Sequence, residues 1–133
     1  MAWGNFYLLG TLAATLLTAG DIGQNQRWVG VWQGELDGVP GVTVTLGNDN
    51  GDLEGTIVFN VVARDGGPAQ VIGHDAHVLI RVRLEEDTLA FQVIRFRDGK
   101  DLHLTMRLKG DHRAQLECAD CGGPPATELM RIK

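Results

Sequence analysis

From residue 27 to the end of the chain, apolar and polar residues alternate with a period of two rather than 3.6. The alternation is plain where Leu102, Leu104 and Met106 occupy every second position between polar residues. This pattern is typical of antiparallel strands with one face on the core and one face in water. Asp-Gly and Asn-Gly pairs lie between the alternating runs and supply the positive φ that hairpin turns need.

The alternation predicts eight strands, near residues 27–36, 41–47, 53–63, 75–84, 88–97, 101–109, 112–118 and 127–132. The connections are too short for crossover helices, so consecutive strands are expected to be neighbours. A meander of this kind can close on itself and remove its exposed edges. We therefore predict an all-β fold, an eight-stranded antiparallel up-and-down barrel, with a β-sandwich as the alternative. A slip in the apolar phase at Val93 and Ile94 predicts a β-bulge.

Residues 1–20 differ from the rest because they carry no charged side chain and are apolar almost throughout. Their length suits the core of a signal peptide and is short for a membrane span. The small residues before Asp21 offer a cleavage site, although the usual Lys or Arg near the start is missing. We expect residues 1–20 to be a cleaved export signal, with an uncleaved anchor or a helix of the fold as alternatives. Residues 21–26 are then a polar leader and residues 27–133 a barrel domain, with no stable membrane span after cleavage.

Two of the three tryptophans lie in the first predicted strand, in the run WVGVWQGEL. Trp28, Gly30, Trp32 and Gly34 share one face of that strand, which we assign to the core. Two indoles bury a large apolar area, and the glycines leave room beside them and let the strand bend. The stretch therefore predicts the curved wall of a small barrel.

Gly30-Val31-Trp32 resembles the G-x-W signature of lipocalins and related calycin barrels. Arg131, in the last predicted strand, matches the arginine that these barrels place against the tryptophan. The resemblance implies that Arg131 packs on Trp32 and locks the first strand to the last by a cation–π contact. The layout also resembles small secreted bacterial barrels of unknown function. The chain is short for a lipocalin and lacks a C-terminal helix pattern and T-D-Y, and it lacks the later tryptophans of avidins.

The lipocalin-like resemblance implies a small apolar ligand in the barrel mouth. The residues expected to touch it are Trp28, Trp32, Phe59, Phe91 and Met106. The alternative is that these side chains fill the barrel, since eight strands enclose little more than their own side chains.

Length, charge and composition narrow the function further. A chain of 133 residues forms one domain, and a net charge of -5 argues against nucleic-acid binding. The chain contains no serine, phosphate loop or dinucleotide fingerprint. We expect no enzymatic activity and no cofactor.

The predicted function is that of an exported binding barrel, periplasmic or secreted, that takes a small apolar ligand. The alternative is a surface-interaction barrel with a protein partner, such as an inhibitor of a secreted hydrolase that uses loop 64–70.

Cys118 and Cys121 are the two cysteines of the chain. In an exported protein we expect them to form a disulfide that fixes the last turn. A redox role is the alternative, but the Gly-Gly-Pro-Pro run that follows prevents the helix such motifs start. A further alternative is a zinc site in which the two cysteines join His74 and His77.

Several cations fall on three consecutive predicted strands: Arg81, Arg83, Arg95, Arg97, Arg107 and Lys109. In a meander they would form a basic stripe on the outer wall that meets an acidic partner, an anionic lipid or a polysaccharide. The alternative is pairing with the carboxylates at the strand ends.

Overall fold

The structure is a computed structural model that describes residues 23–95, 98–121 and 126–133. The expected signal peptide, residues 1–20, and the start of the leader lie outside the described residues. Within these residues, nine strands form one antiparallel sheet that curves into a half-barrel. Their bounds are β1 (Gly30–Leu36), β2 (Val39–Asp49), β3 (Asp52–Ala63), β4 (Gln70–Val78), β5 (Ile80–Glu85), β6 (Thr88–Ile94), β7 (Asp101–Leu108), β8 (Arg113–Cys118) and β9 (Thr127–Arg131).

The sheet is a meander in which the first and last strands are also neighbours. Its order is β4-β3-β2-β1-β9-β8-β7-β6-β5. In the β1–β9 pair, Trp32 lies opposite Arg131 and Gln33 opposite Met130. The described strands therefore belong to one curved sheet and not to the two packed layers of a β-sandwich.

The predicted count of eight strands is wrong, because the expected strand 75–84 is two strands with different partners. Its first part belongs to β4, which pairs with β3, and its second part is β5, which pairs with β6. Between them, the Leu79 N–H donates to the carbonyl of Gly55 (3.0 Å). Arg81 has φ 50°, and the pairing register shifts between Ile80 and Arg83. Because of this irregularity, one continuous run of chain forms both edge strands of the sheet, β4 and β5.

The same break reverses the expected inner face of β4. His77 and Leu79 are buried, whereas Val78, which the alternation places inside, is 68% exposed. The predicted bulge at Val93 and Ile94 is also wrong, since β6 and β7 pair there without a register shift. Val93 continues the buried face and Ile94 points outward at the end of the strand. Residues 96 and 97, where that strand was expected to end, lie outside the described residues.

The core is densest at one end of the half-barrel, which a helical turn over residues 23–26 covers. Trp28 and Trp32 have no exposed surface. The Trp32 indole N–H donates to the Trp28 carbonyl (2.9 Å). Asn25 is buried, and its side-chain N–H donates to the carbonyl of Gly51 (2.6 Å) and to the side-chain oxygen of Asn48 (3.1 Å). These bonds hold the turn against the β2–β3 hairpin, and we call this end the capped end.

Two glycines allow the close strand contacts near the capped end. Gly30 has φ 143°, and a Cβ there would overlap the Lys133 carbonyl. A Cβ at Gly55 would overlap the Thr45 carbonyl of the neighbouring strand. Any side chain at either position would therefore separate backbones that now touch.

Candidate ligand pocket at the open end

A pocket of about 230 Å³ lies at the end of the half-barrel opposite the helical turn. We call this the open end. Strands β1, β3, β6 and β8 end there, and β2, β4, β7 and β9 begin there. The apolar lining side chains come from five strands: Leu36, Val42, Phe59, Leu104, Leu116 and Cys118. The remaining lining residues are Glu35, Gly41, Asn60, Cys121 and Thr127.

Phe59 forms the aromatic wall of the pocket, and a histidine holds it from behind. The rings of Phe59 and His77 meet edge to face, with centroids 6.0 Å apart and an angle of 62°. His77 Nδ1 lies 3.1 Å from the carbonyl of Ile94. Because a carbonyl only accepts, Nδ1 carries the proton and donates it. His77 thus links β4 to β6 and positions Phe59.

Asn60 fixes the strand ends around the pocket by joining three strands. Its side-chain N–H donates to the carbonyl of Pro40 in β2 (2.7 Å). Its side-chain oxygen accepts a hydrogen bond from His74 Nδ1 in β4 (2.8 Å). Both the nitrogen and the oxygen of the Asn60 side-chain amide are therefore hydrogen-bonded, and this part of the rim is preformed.

The disulfide Cys118–Cys121 forms the opposite side of the rim. The loop that contains it is tied to β7 through Asp120. One Asp120 oxygen accepts from both the backbone N–H and the Nδ1–H of His103, each at 2.9 Å. The side-chain bond, and after it the backbone bond, lowers the pKa of Asp120 below its usual value. The rim is thus fixed covalently and by hydrogen bonds.

Two arginines near the open end are neutralised by carboxylates. Arg95 forms a two-point contact with Asp98, with N···O distances of 3.0 and 2.6 Å. That hydrogen bond, with help from the Lys100 backbone N–H, lowers the pKa of Asp98 to about 2. Arg64 lies 3.4 Å from Asp37.

Of the five residues expected to touch a ligand, the structure places Phe59 alone in the wall of this pocket. Trp28, Trp32, Phe91 and Met106 are buried core side chains at 0–2% exposure. The alternation of β7 and β8 marks Leu104 and Leu116 as inward-facing residues. The alternation does not distinguish an inward residue that borders a cavity from one that packs against other side chains.

The expected closure contact is present. The guanidinium carbon of Arg131 lies 4.5 Å from the centroid of the Trp32 ring, and Arg131 also donates to the carbonyl of Arg27. Gly30 lies beside it, since an added Cβ would be in van der Waals contact with Arg131 Nε at 3.5 Å. Gly30, Trp32 and Arg131 thus meet where β1 joins β9.

The four residues of the alternative zinc site do not come together as ligands. Cys118 and Cys121 are bonded to each other, so neither offers a thiolate. His74 and His77 point to opposite faces of β4 and bond to Asn60 and to a backbone carbonyl. Within the described part of the chain, no group of three His, Cys, Asp or Glu residues is placed to hold a metal ion.

The expected basic stripe is partly neutralised. Arg81 lies 3.5 Å from Asp101 and 2.8 Å from Gln92, and Arg95 is paired with Asp98. Arg83, Arg107 and Lys109 are exposed, and Arg97 lies outside the described residues. The pairing alternative thus accounts for two of the six cations.

No family model, curated protein or solved structure matches this chain. Within residues 23–95, 98–121 and 126–133, no helix is long and apolar enough to cross a membrane. The function is therefore inferred from the pocket, its preformed rim and the charges around it.

Proposed function

We propose that this protein is a non-enzymatic binding protein that holds a small apolar ligand in the pocket at the open end. The main support is the difference in packing between the capped end and the open end of the half-barrel. Trp28 and the helical turn fill the capped end, whereas the open end leaves about 230 Å³ between apolar side chains. Asn60 and the disulfide hold that space open, and preformed apolar concavities are the usual sites for small ligands.

The size of the pocket limits the ligand. Pockets for drug-sized ligands measure about 300–1,000 Å³, and this one is smaller. A short alkyl chain or a single ring fits this volume better than a long fatty acid or a multi-ring compound. The proposed ligand is therefore a small molecule or one apolar group of a larger one.

The proposal includes a closed lipocalin-like barrel. The pairing of β1 with β9 and the Arg131–Trp32 stack support it. The two edge strands of the sheet are consecutive in the chain, and the His77–Ile94 hydrogen bond joins β4 in one half of the sheet to β6 in the other. Backbone hydrogen exchange would test closure, since β4 amides that face β6 should exchange slowly in a closed barrel and quickly in an open sheet.

We also propose that the protein is exported to the periplasm or the medium. The disulfide supports this, because disulfides persist in oxidising compartments. The apolar, uncharged residues 1–20 support it as well. N-terminal sequencing of the exported protein should begin near Asp21. Recovery of intact Met1 in that fraction would contradict cleavage.

The binding proposal is tested with 1-hexanol, a short chain that fits the pocket. We expect binding near the millimolar range, which is ordinary for so small a ligand. Val42→Phe places a ring in the pocket and should reduce the affinity at least tenfold. Val31→Phe, at an outward-facing position of β1, is the control and should bind like the wild type. Ligand-observed NMR gives the affinities, and equal binding by both variants would refute the pocket as the site.

A second function, docking of a protein partner, is favoured by one feature of the open end. Leu36, Val61 and Ile72 are 47%, 48% and 65% exposed around it. Such a rim suits a protein partner that inserts one apolar side chain into the pocket. A secreted hydrolase that this protein inhibits would be a partner of this kind. Ile72→Asp should abolish such docking and leave 1-hexanol binding unchanged, which separates the two functions.

A further inference from the structure

The pocket wall carries a single charged side chain within the described part of the chain. It belongs to Glu35, at the end of β1, which also borders a groove on the outer wall. Glu35 is exposed and makes no hydrogen bond or ion pair with any described residue. A carboxylate with no partner at the edge of an apolar pocket attracts a cation on the ligand.

Among the described residues, no cation pairs with Glu35. Two described arginines near the open end are paired with other carboxylates, as Arg64–Asp37 and Arg95–Asp98. The ammonium of Lys100 has no such pair, but Lys100 does not line the pocket.

A second carboxylate adds to the negative charge of the inner face at the open end. Asp75 lies directly opposite Phe59 in the β3–β4 pair, and it forms no ion pair with a described residue. The whole chain carries a net charge of -5, so no distant excess of cations offsets this potential.

We propose that the pocket binds small amphiphiles with a cationic head, of the class of primary alkylamines. This inference rests on the proposed binding function and names its ligand class. The apolar chain packs against Phe59, Leu104 and Leu116, and the ammonium group lies beside Glu35. An alkylamine is protonated at neutral pH, as the lysine side chain is.

Apolar burial supplies most of the affinity, and Glu35 supplies the selection between head groups. Because Glu35 is exposed, its contact with an ammonium group is worth about a two- to fivefold gain in affinity. A carboxylate head group should lose affinity by a similar factor. Both effects should shrink as salt is added, since the Debye length falls from about 30 Å at 0.01 M to about 10 Å at 0.1 M.

The test compares three ligands with the same chain: hexylamine, 1-hexanol and hexanoate. Titration calorimetry or ligand-observed NMR at pH 7 and low salt measures their affinities for the full chain. The wild type should prefer the amine to the alcohol and the alcohol to the carboxylate. Glu35→Gln should bring the three affinities together. Glu54→Gln, at an exposed position outside the pocket, is the matched control and should keep the wild-type order.

The outcomes separate this inference from the function on which it rests. Binding of 1-hexanol without a preference for hexylamine, or a preference that survives Glu35→Gln, would overturn the cationic ligand class and leave the apolar pocket standing. Failure of all three ligands to bind would overturn the binding function and the ligand class together.

Discussion

Replacing Val42 and Val44 by phenylalanine, one at a time, tests whether the pocket beside Val42 is free space. The two valines are two residues apart on β2. Val42 lines the pocket, whereas Val44 has no exposed surface and lies opposite Ile57. Both side chains point inward, so replacing each by phenylalanine adds the same atoms to the same face of the same strand. We expect Val44→Phe to overpack the core and Val42→Phe to place its ring in the pocket.

The expected magnitudes follow from packing. Overpacking a filled core costs about 1–3 kcal/mol, so Val44→Phe should lower the free energy of unfolding by that amount. Val42 is itself buried at 6% exposure but borders the pocket, so the added ring of Val42→Phe can enter that space and should lower the free energy of unfolding less than Val44→Phe does. The two variants should therefore differ in stability, with Val44→Phe the less stable.

Urea unfolding of the oxidised protein measures the difference, with tryptophan fluorescence as the signal. Trp28 and Trp32 are fully buried, so unfolding should change their emission strongly. The slope of free energy against urea must match in the two variants for the comparison to hold. An equal loss of stability in Val42→Phe and Val44→Phe would show that the pocket is not free space, and the reasoning would fail.

Three further predictions concern the closure contact, the disulfide and the charged rim. Arg131→Ala removes the cation–π stack and a backbone hydrogen bond and should lower the free energy of unfolding by about 1–3 kcal/mol in urea titrations; an unchanged midpoint would contradict the stack. Cys118→Ala/Cys121→Ala should remain folded and lose at most about 2 kcal/mol, because so short a ring restricts the unfolded chain little; two free thiols in the denatured, unreduced wild type would refute the disulfide. Asp98 should titrate with a pKa of about 2 by carboxyl NMR, and Arg95→Gln should raise that pKa. Since folding lowers this pKa, the pair stabilises the fold at neutral pH and that contribution fades from about pH 4 down through pH 2; an ordinary pKa for Asp98 in the wild type would contradict the contact.

The sequence predicts the part of the fold that depends on period and on side-chain type. Gly30, Trp32 and Arg131 identify the junction of the first and last strands, because a small residue, a large aromatic ring and a cation must fit together there. The sequence does not predict that the expected strand 75–84 is divided into two strands. The run around Val78 alternates as one strand would, and the break arises from a change of partner strand, which leaves no local mark in the apolar pattern.

The pocket also could not be located from the sequence. The lipocalin-like resemblance implied ligand contacts at large apolar residues in the barrel mouth, yet Trp28, Phe91 and Met106 are buried in the core. Leu104 and Leu116 line the pocket only because the strands around them end at the open mouth. Glu35 is one of many carboxylates in the sequence, and its position at the pocket follows from the three-dimensional arrangement of β1 and β9.

The central claim, a ligand pocket at the open end, is tested most directly by locating a bound ligand. Intermolecular nuclear Overhauser effects between 1-hexanol and the isotope-labelled protein give its contacts. The methyl end of the ligand should contact Phe59, Leu104 and Leu116 and should give no contact with Trp28 at the capped end. Contacts confined to Met130 and Ile132, which line a shallow groove on the outer wall, or contacts at the capped end, would contradict it.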